Sequence, residues 1–266
     1  MKVLSLENIS AVAVQGLRDA GYDVESHKAA LDERGLIQKV REATILGVRS
    51  KTRVSAAVLE AAKNLVAVGA FCIGVDKIDC KAANERGIAV FNDPHSNSRS
   101  VAELAMGEII LLLRRTFAAS TQMHGGVWNK SAAGAHEVRG LTLGIVGYGK
   151  IGSQLSDLAE AMGMRVVFYD SAHVLARGNA RGVNFRELLE TSDVVTLHVD
   201  GKKENQDLFG DQEFRAMKDG ACFLNLSRGF VVDHAALAVQ LKTGRSICPA
   251  PRKPRLINPA WPRQLT

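Results

Sequence analysis

Leu143-Gly144-Ile145-Val146-Gly147-Tyr148-Gly149-Lys150-Ile151-Gly152 is the stretch on which the reading of this chain turns. An apolar run enters a G-x-G-x-x-G turn, and Leu155, Leu158, Ala159 and Met162 then recur at helical spacing, so strand, tight turn and helix follow one another directly. In such a turn Gly147 permits the bend, Gly149 lets the backbone approach a pyrophosphate and Gly152 lets helix and strand pack closely. The free amides of the helix start, Lys150 and Ile151 among them, and the positive end of the helix dipole suit a pair of phosphates. Further on, the apolar run Val166-Val167-Phe168-Tyr169 ends at Asp170, where a carboxylate can accept from a ribose hydroxyl. That carboxylate favours NAD over NADP, since it would repel a 2′-phosphate and Ser171 and Ala172 bring no positive charge to compensate.

Outward from this motif, short runs rich in Val, Ile and Leu alternate with helical patterns. That alternation predicts parallel sheets built from strand-helix-strand units. Expected strands are 3–6, 23–26, 45–48, 66–68 and 89–91, then 142–146, 166–169, 194–198 and 223–226. A helix is expected over Ser10 to Ala20, capped by Ser10 and closed by Gly21. A long, mostly buried helix is expected from Ser98 to Arg115, after which the strand-helix rhythm starts afresh. The fold class is α/β, with two Rossmann-like parallel-sheet domains and a cleft between them. The boundaries read as 1–96, 97–245 and a proline-rich basic tail over 246–266, which carries no helical or strand period.

Composition narrows the function. The net charge of +6 owes four charges to Arg252, Lys253, Arg255 and Arg263, in a tail without acidic residues, so the body is nearly balanced and no nucleic-acid-binding surface is expected. Cys72, Cys80, Cys222 and Cys248 show neither C-x-x-C pairing nor a neighbouring histidine at ligand spacing; buried thiols are expected, without a metal site. The longest apolar run, Ile109 to Leu113, is far short of the ~20 residues of a membrane span. Glu7 and Asn8 interrupt the opening before a signal peptide develops, and the first residues read as a strand of a cytoplasmic protein.

Together with the dinucleotide motif, Ser192-Asp193-Val194-Val195-Thr196-Leu197-His198-Val199 and Leu224-Asn225-Leu226-Ser227-Arg228-Gly229 resemble the D-2-hydroxyacid dehydrogenase family. Gly47-Val48-Arg49-Ser50-Lys51-Thr52, Phe71-Cys72-Ile73-Gly74-Val75-Asp76, Phe91-Asn92-Asp93-Pro94 and Ser96-Asn97-Ser98-Arg99-Ser100-Val101-Ala102-Glu103 look like its bacterial D-3-phosphoglycerate dehydrogenases. The likeness runs from residue 1 to about 245. It implies an NAD-dependent oxidoreductase acting on a phosphorylated 2-hydroxy acid, 3-phosphoglycerate to 3-phosphohydroxypyruvate in serine biosynthesis, and a homo-oligomer formed through the NAD domain. It places Arg228 at the substrate carboxylate and reacting oxygen, where a guanidinium fork can orient the acid and stabilise charge. It places Arg49, Ser50 and Lys51 at the phosphate, and Ile73, Gly74 and Asn97 near the carboxylate. His198, Val199 and Ser227 fall to the cofactor, and Trp128 to a subunit contact.

The resemblance also implies a histidine acid/base and a glutamate partner beyond Arg228. In that stretch the sequence has one histidine, His234, only six residues on, and no glutamate. After Gly244, where further strands are implied, it continues Arg245-Ser246-Ile247-Cys248-Pro249 and into the proline-rich tail, so the second sheet is expected to be incomplete, as after a frame change or early end. Asp200 stands where the family has proline and adds negative charge beside the cofactor. An oxidoreductase and a catalytically inactive remnant that binds NAD or a homologous subunit are therefore both open.

Overall fold

The computed structural model describes residues 1–242. Among the described residues the chain divides into two compact units, Met1–Asn97 and a second that starts at Ser98.

The first unit alternates strand and helix: β1 (Lys2–Ser5), α1 (Ala11–Asp19), β2 (Asp23–Ser26), α2 (Glu33–Val40), β3 (Ile45–Val48), α3 (Ala56–Ala61), β4 (Ala67–Ala70), α4 (Cys80–Glu85) and β5 (Ala89–Asn92). All strand pairs are parallel and the order is β2-β1-β3-β4-β5, the arrangement of a flavodoxin-like doubly wound sheet. Parallel strands joined by crossover helices are covered on both faces, which is why they read as continuous apolar runs. Leu4, Leu46, Val48 and Val68 pack with Leu36, Val58 and Leu59 on one face, and Val3 and Val24 with Val14 on the other.

The second unit holds α5 (Ser98–Leu113), α6 (Thr116–His124), β6 (Thr142–Val146), α7 (Lys150–Ala161), β7 (Arg165–Tyr169), β8 (Arg181–Gly182), α8 (Phe185–Thr191), β9 (Val194–Leu197), α9 (Asp211–Ala216), β10 (Cys222–Asn225) and α10 (His234–Lys242). Its sheet is parallel, ordered β10-β9-β6-β7-β8. Counted from β6, this is the Rossmann order, reversing direction between β6 and β9. Ala102, Ala105 and Ile109 of α5 and Leu155 and Ala159 of α7 cover Leu143, Ile145, Val166 and Phe168; Leu188, Phe209, Phe214 and Phe223 fill the opposite face against Val146, Val167, Val195 and Leu197.

Most differences from the sequence expectations are at ends. Ser10 precedes α1 but makes no side-chain capping bond. β4 runs on to Ala70 because Gly69 and Ala70 are paired on both sides, with Gly47 and Val48 of β3 and with Phe91 and Asn92 of β5. α5 stops at Leu113, since Arg115 turns left-handed at φ 58°. Of the thiols, Cys222 is buried, Cys72 half-buried and Cys80 exposed, the last because it opens α4 on its outer side. Trp128 is 68% exposed. Among the described residues the second sheet has five strands, as many as the first. The tail, Cys248 and the strands implied after Gly244 lie outside the described residues.

Candidate active site and its family

In the second unit the parallel register aligns one edge. Val146 pairs with both Tyr169 and Leu197, and Leu197 with Asn225, so β6, β7, β9 and β10 end together. The residues just past those ends are Gly147, Asp170, His198 with Val199, and Ser227 with Arg228. The sequence motifs, far apart along the chain, therefore meet at the carboxyl edge of one sheet, where open α/β sheets bind ligands.

The turn after β6 is built around missing side chains. Gly147 has φ +92°, and a Cβ there would stand 2.8 Å from the carbonyl carbon and oxygen of His198. A Cβ on Gly152 would run into the Gly147 carbonyl oxygen and lie 3.0 Å from Ile145 Cγ2. Gly149 differs, because nothing lies within 4 Å of its Cβ position. It is the N-cap of α7, and no side chain caps that helix. The first-turn amides of Lys150, Ile151 and Gly152 thus have no side-chain cap, and the position of Gly149 beside them is open, as a pyrophosphate would require.

Asp170 is held in place beside them. Its Oδ2 accepts from the Tyr148 amide at 2.7 Å and its Oδ1 from the Ala172 amide at 2.9 Å. The carboxylate is thereby fixed to the turn itself and keeps lone pairs for ribose hydroxyls. Tyr148, between the first two glycines, points inward and stacks on Phe168 with centroids 3.8 Å apart. These residues fit a nicotinamide dinucleotide: amides for the pyrophosphate, a pinned carboxylate for a ribose and room at Gly149.

His198 follows β9. Its amide donates to the Val146 carbonyl at 2.8 Å, and its Nε2 lies 3.0 Å from Thr196 Oγ1. Nδ1 is buried without a partner, and burial pushes the imidazole down to about 4. It is therefore neutral at physiological pH and contributes to the site through its backbone and bulk. Asp200 carries less influence than its charge suggests, because Lys202 Nζ at 2.8 Å and Asn205 Nδ2 at 2.7 Å neutralise and hold it. The Lys202 contact, ahead of the other causes, keeps the Asp200 carboxyl below its ordinary range.

Arg228 is half-buried past β10 and opens a short 3₁₀ turn, Gly229–Val231. The buried Asn225 sets this turn: its Nδ2 donates to the Arg228 carbonyl at 3.0 Å, and its Oδ1 accepts from the Ser227 amide at 3.0 Å and hydroxyl at 2.6 Å. Asn225 lies within a recognised motif but carries no sequence signal of this role. His234 begins α10, and a Cβ on Gly229 would lie 3.9 Å from its Cε1.

In the first unit, Arg49, Ser50 and Lys51 follow β3 and are exposed, Ile73 and Gly74 follow β4, and the exposed Asn97 follows β5. These too are at the carboxyl edge of their own sheet. Asn92 Nδ2 donates to the Ile73 carbonyl at 2.7 Å, and Cys72 Sγ to the Gly74 carbonyl at 3.2 Å, which fixes the segment after β4. The loop after β3 is held from below by Glu7: the amides of Arg49, Lys51 and Thr52 donate to its carboxylate at 3.1, 2.9 and 2.8 Å. In the sequence Glu7 registers only as a charge that interrupts an apolar opening.

A parallel sheet in Rossmann order, with a glycine turn and a pinned carboxylate at its switch point, defines a dinucleotide-binding fold. The family model for the D-isomer specific 2-hydroxyacid dehydrogenase NAD-binding domain matches residues 106–247, and the chain belongs to this family. It is 51% identical over 246 residues to D-3-phosphoglycerate dehydrogenase 2 of Saccharomyces cerevisiae, covering 92% of this chain and 52% of that one. With D-3-phosphoglycerate dehydrogenase of Escherichia coli K12 the identity is 49% over 239 residues, covering 89% and 58%. The chain thus spans about half the length of the curated relatives it matches. Among solved structures, the TT0316 protein from Thermus thermophilus superposes with a TM-score of 0.84 at 32% identity, over 91% of this chain and 78% of that one. D-lactate dehydrogenase from Aquifex aeolicus, solved with NAD and lactic acid, matches with a TM-score of 0.79 at 26% identity, over 91% and 74%. Among the described residues no helix is long and apolar enough to cross a membrane.

Proposed function

We propose that this chain is the NAD- and substrate-binding part of a D-3-phosphoglycerate dehydrogenase, acting on 3-phosphoglycerate and 3-phosphohydroxypyruvate in serine biosynthesis. The observation that carries the reading is the turn itself: uncapped amides at the start of α7 beside a carboxylate pinned by the Tyr148 amide. The names of the relatives supply the substrate. The amides of Lys150, Ile151 and Gly152 hold the pyrophosphate and Asp170 the adenosine ribose. Arg228 takes the substrate carboxylate and, by its fixed positive charge, stabilises the oxygen on the reacting carbon. Arg49, Ser50 and Lys51 hold the phosphate: a guanidinium and an ammonium beside a hydroxyl match a dianion. Bound NAD supplies the hydride acceptor. In this assignment the protein is cytoplasmic, self-associates through its second unit and divides at residues 96 and 97 into substrate and cofactor domains.

A second reading is a chain that binds NAD and phosphoglycerate without turnover: His234, which opens α10 beside Gly229, is only six residues from Arg228, too close to serve as the acid/base. A chain that binds NAD and phosphoglycerate but lacks its own general base would lose ~10²–10⁴ of rate. Titration with NADH by fluorescence, followed by an assay of NADH oxidation with 3-phosphohydroxypyruvate, separates the two. Turnover at ordinary rates supports the enzyme; tight NADH binding without turnover supports the binding-only product; no NADH binding rejects both.

A further inference from the structure

We propose that Glu7 is a positioning residue: its carboxylate fills the amide nest of the 49–52 loop, so that the loop meets a phosphate with the side chains of Arg49, Ser50 and Lys51 and not with its backbone. The inference rests on the reading that this loop takes the substrate phosphate.

Successive backbone amides that converge in a tight loop form a concavity for an anion, and phosphate sites often use it directly. Here that concavity is already filled from within. Oε1 of Glu7 accepts from the amides of Arg49 and Thr52 and Oε2 from that of Lys51. An arriving phosphate therefore finds no free amide among these three. What remains are the exposed side chains of residues 49–51, whose aim depends on how firmly the backbone beneath them is held.

The backbone around Glu7 shows that this contact is over-determined. Glu7 and Asn8 both adopt left-handed φ, 61° and 54°, which residues with side chains seldom do. Their amides are tied to the carbonyls of Ala29 at 3.2 Å and His27 at 3.1 Å, which turns the chain so that the Glu7 side chain points beneath the β3 loop. Burial would raise the Glu7 carboxyl, yet the three amides bring it below its ordinary range, so the nest holds an anion.

Glu7→Gln tests this without changing shape. The amide oxygen can keep the Arg49 and Thr52 amides, but its NH₂ would face the Lys51 amide, donor against donor. In the full chain with saturating NADH, calorimetric titration with 3-phosphoglycerate should show about tenfold weaker binding, the loss of one charge-assisted hydrogen bond. Binding of D-glycerate, which lacks the phosphate, and of NADH should be unchanged, and the Lys51 amide proton should move upfield in the NMR spectrum. Glu7→Ala should weaken 3-phosphoglycerate further; if it fails to fold, Glu7→Gln still decides. Unchanged 3-phosphoglycerate binding in Glu7→Gln overturns the inference, and so does an equal loss for both ligands, which marks Glu7 as a general support. If the wild-type chain binds the two ligands alike, the phosphate reading itself has failed and the inference falls with it.

Discussion

Gly147, Gly149 and Gly152 look alike in the sequence motif, but different constraints act on each. Gly147 and Gly152 are held by the protein's own backbone, which leaves no volume for a Cβ, and Gly147 is also left-handed. Gly149 has ordinary φ of −75° and open space, so only something arriving from outside requires it. Gly149→Ala should therefore fold, within about 1 kcal/mol of wild type for the altered N-cap, while weakening NADH about ten- to hundredfold. Gly152→Ala should lose about 1–3 kcal/mol or more, because backbone and not a mobile side chain is in the way. Urea denaturation beside NADH titration reads both. Equal destabilisation by the two substitutions would mean that Gly149 serves the fold and not a ligand.

Elements were legible where apolar period and length agreed, and their ends were decided by neighbours. β9 is an example: Val194 to Leu197 pair with β6 and β10, whereas His198 leaves the strand half-buried, its backbone against the glycine turn and its Nδ1 out of solvent. Burial of the ring nitrogen at this strand end has a consequence for pH. Burial lowers His198 from 6.5 to about 4, so between these values the unfolded chain binds the proton and the folded one does not. The contribution of neutral His198 is fully present above about 6.5 and declines as pH falls towards 4, by up to ~3 kcal/mol. Denaturation midpoints measured across that window should fall with acidification, and His198→Asn, which keeps an amide for Thr196 but cannot titrate there, should flatten the slope. An identical slope in wild type and variant would show that His198 is solvated in the native state.

At the scale of the whole molecule, each unit has its own parallel sheet and its own cores on both faces, with different strand orders. A chain built this way should not unfold as one two-state system. Denaturant should reveal two transitions, and NADH at about 100 times its Kd should raise one of them by ~2.7 kcal/mol while leaving the other in place. Far-ultraviolet dichroism with and without NADH gives the comparison. A single transition that moves as a whole with NADH would show the two units folding as one.

The sequence by itself determined what is local: strand and helix periods, the glycine spacing that demands a strand-turn-helix, and the acid at the end of the following strand. Those follow from backbone sterics and from side-chain period within a few residues, which is why the strand-turn-helix of the glycine motif could be placed from the residues alone. It could not tell that Asn225 fastens the turn of Arg228, that Lys202 neutralises Asp200, or that Glu7 lies under the Arg49 loop. Glu7 and Arg49 are brought together only because β1 pairs with β3, and Asp170 reaches Tyr148 only because β6 pairs with β7. Strand order is settled by packing and crossover over the whole unit, and no short stretch of residues records it.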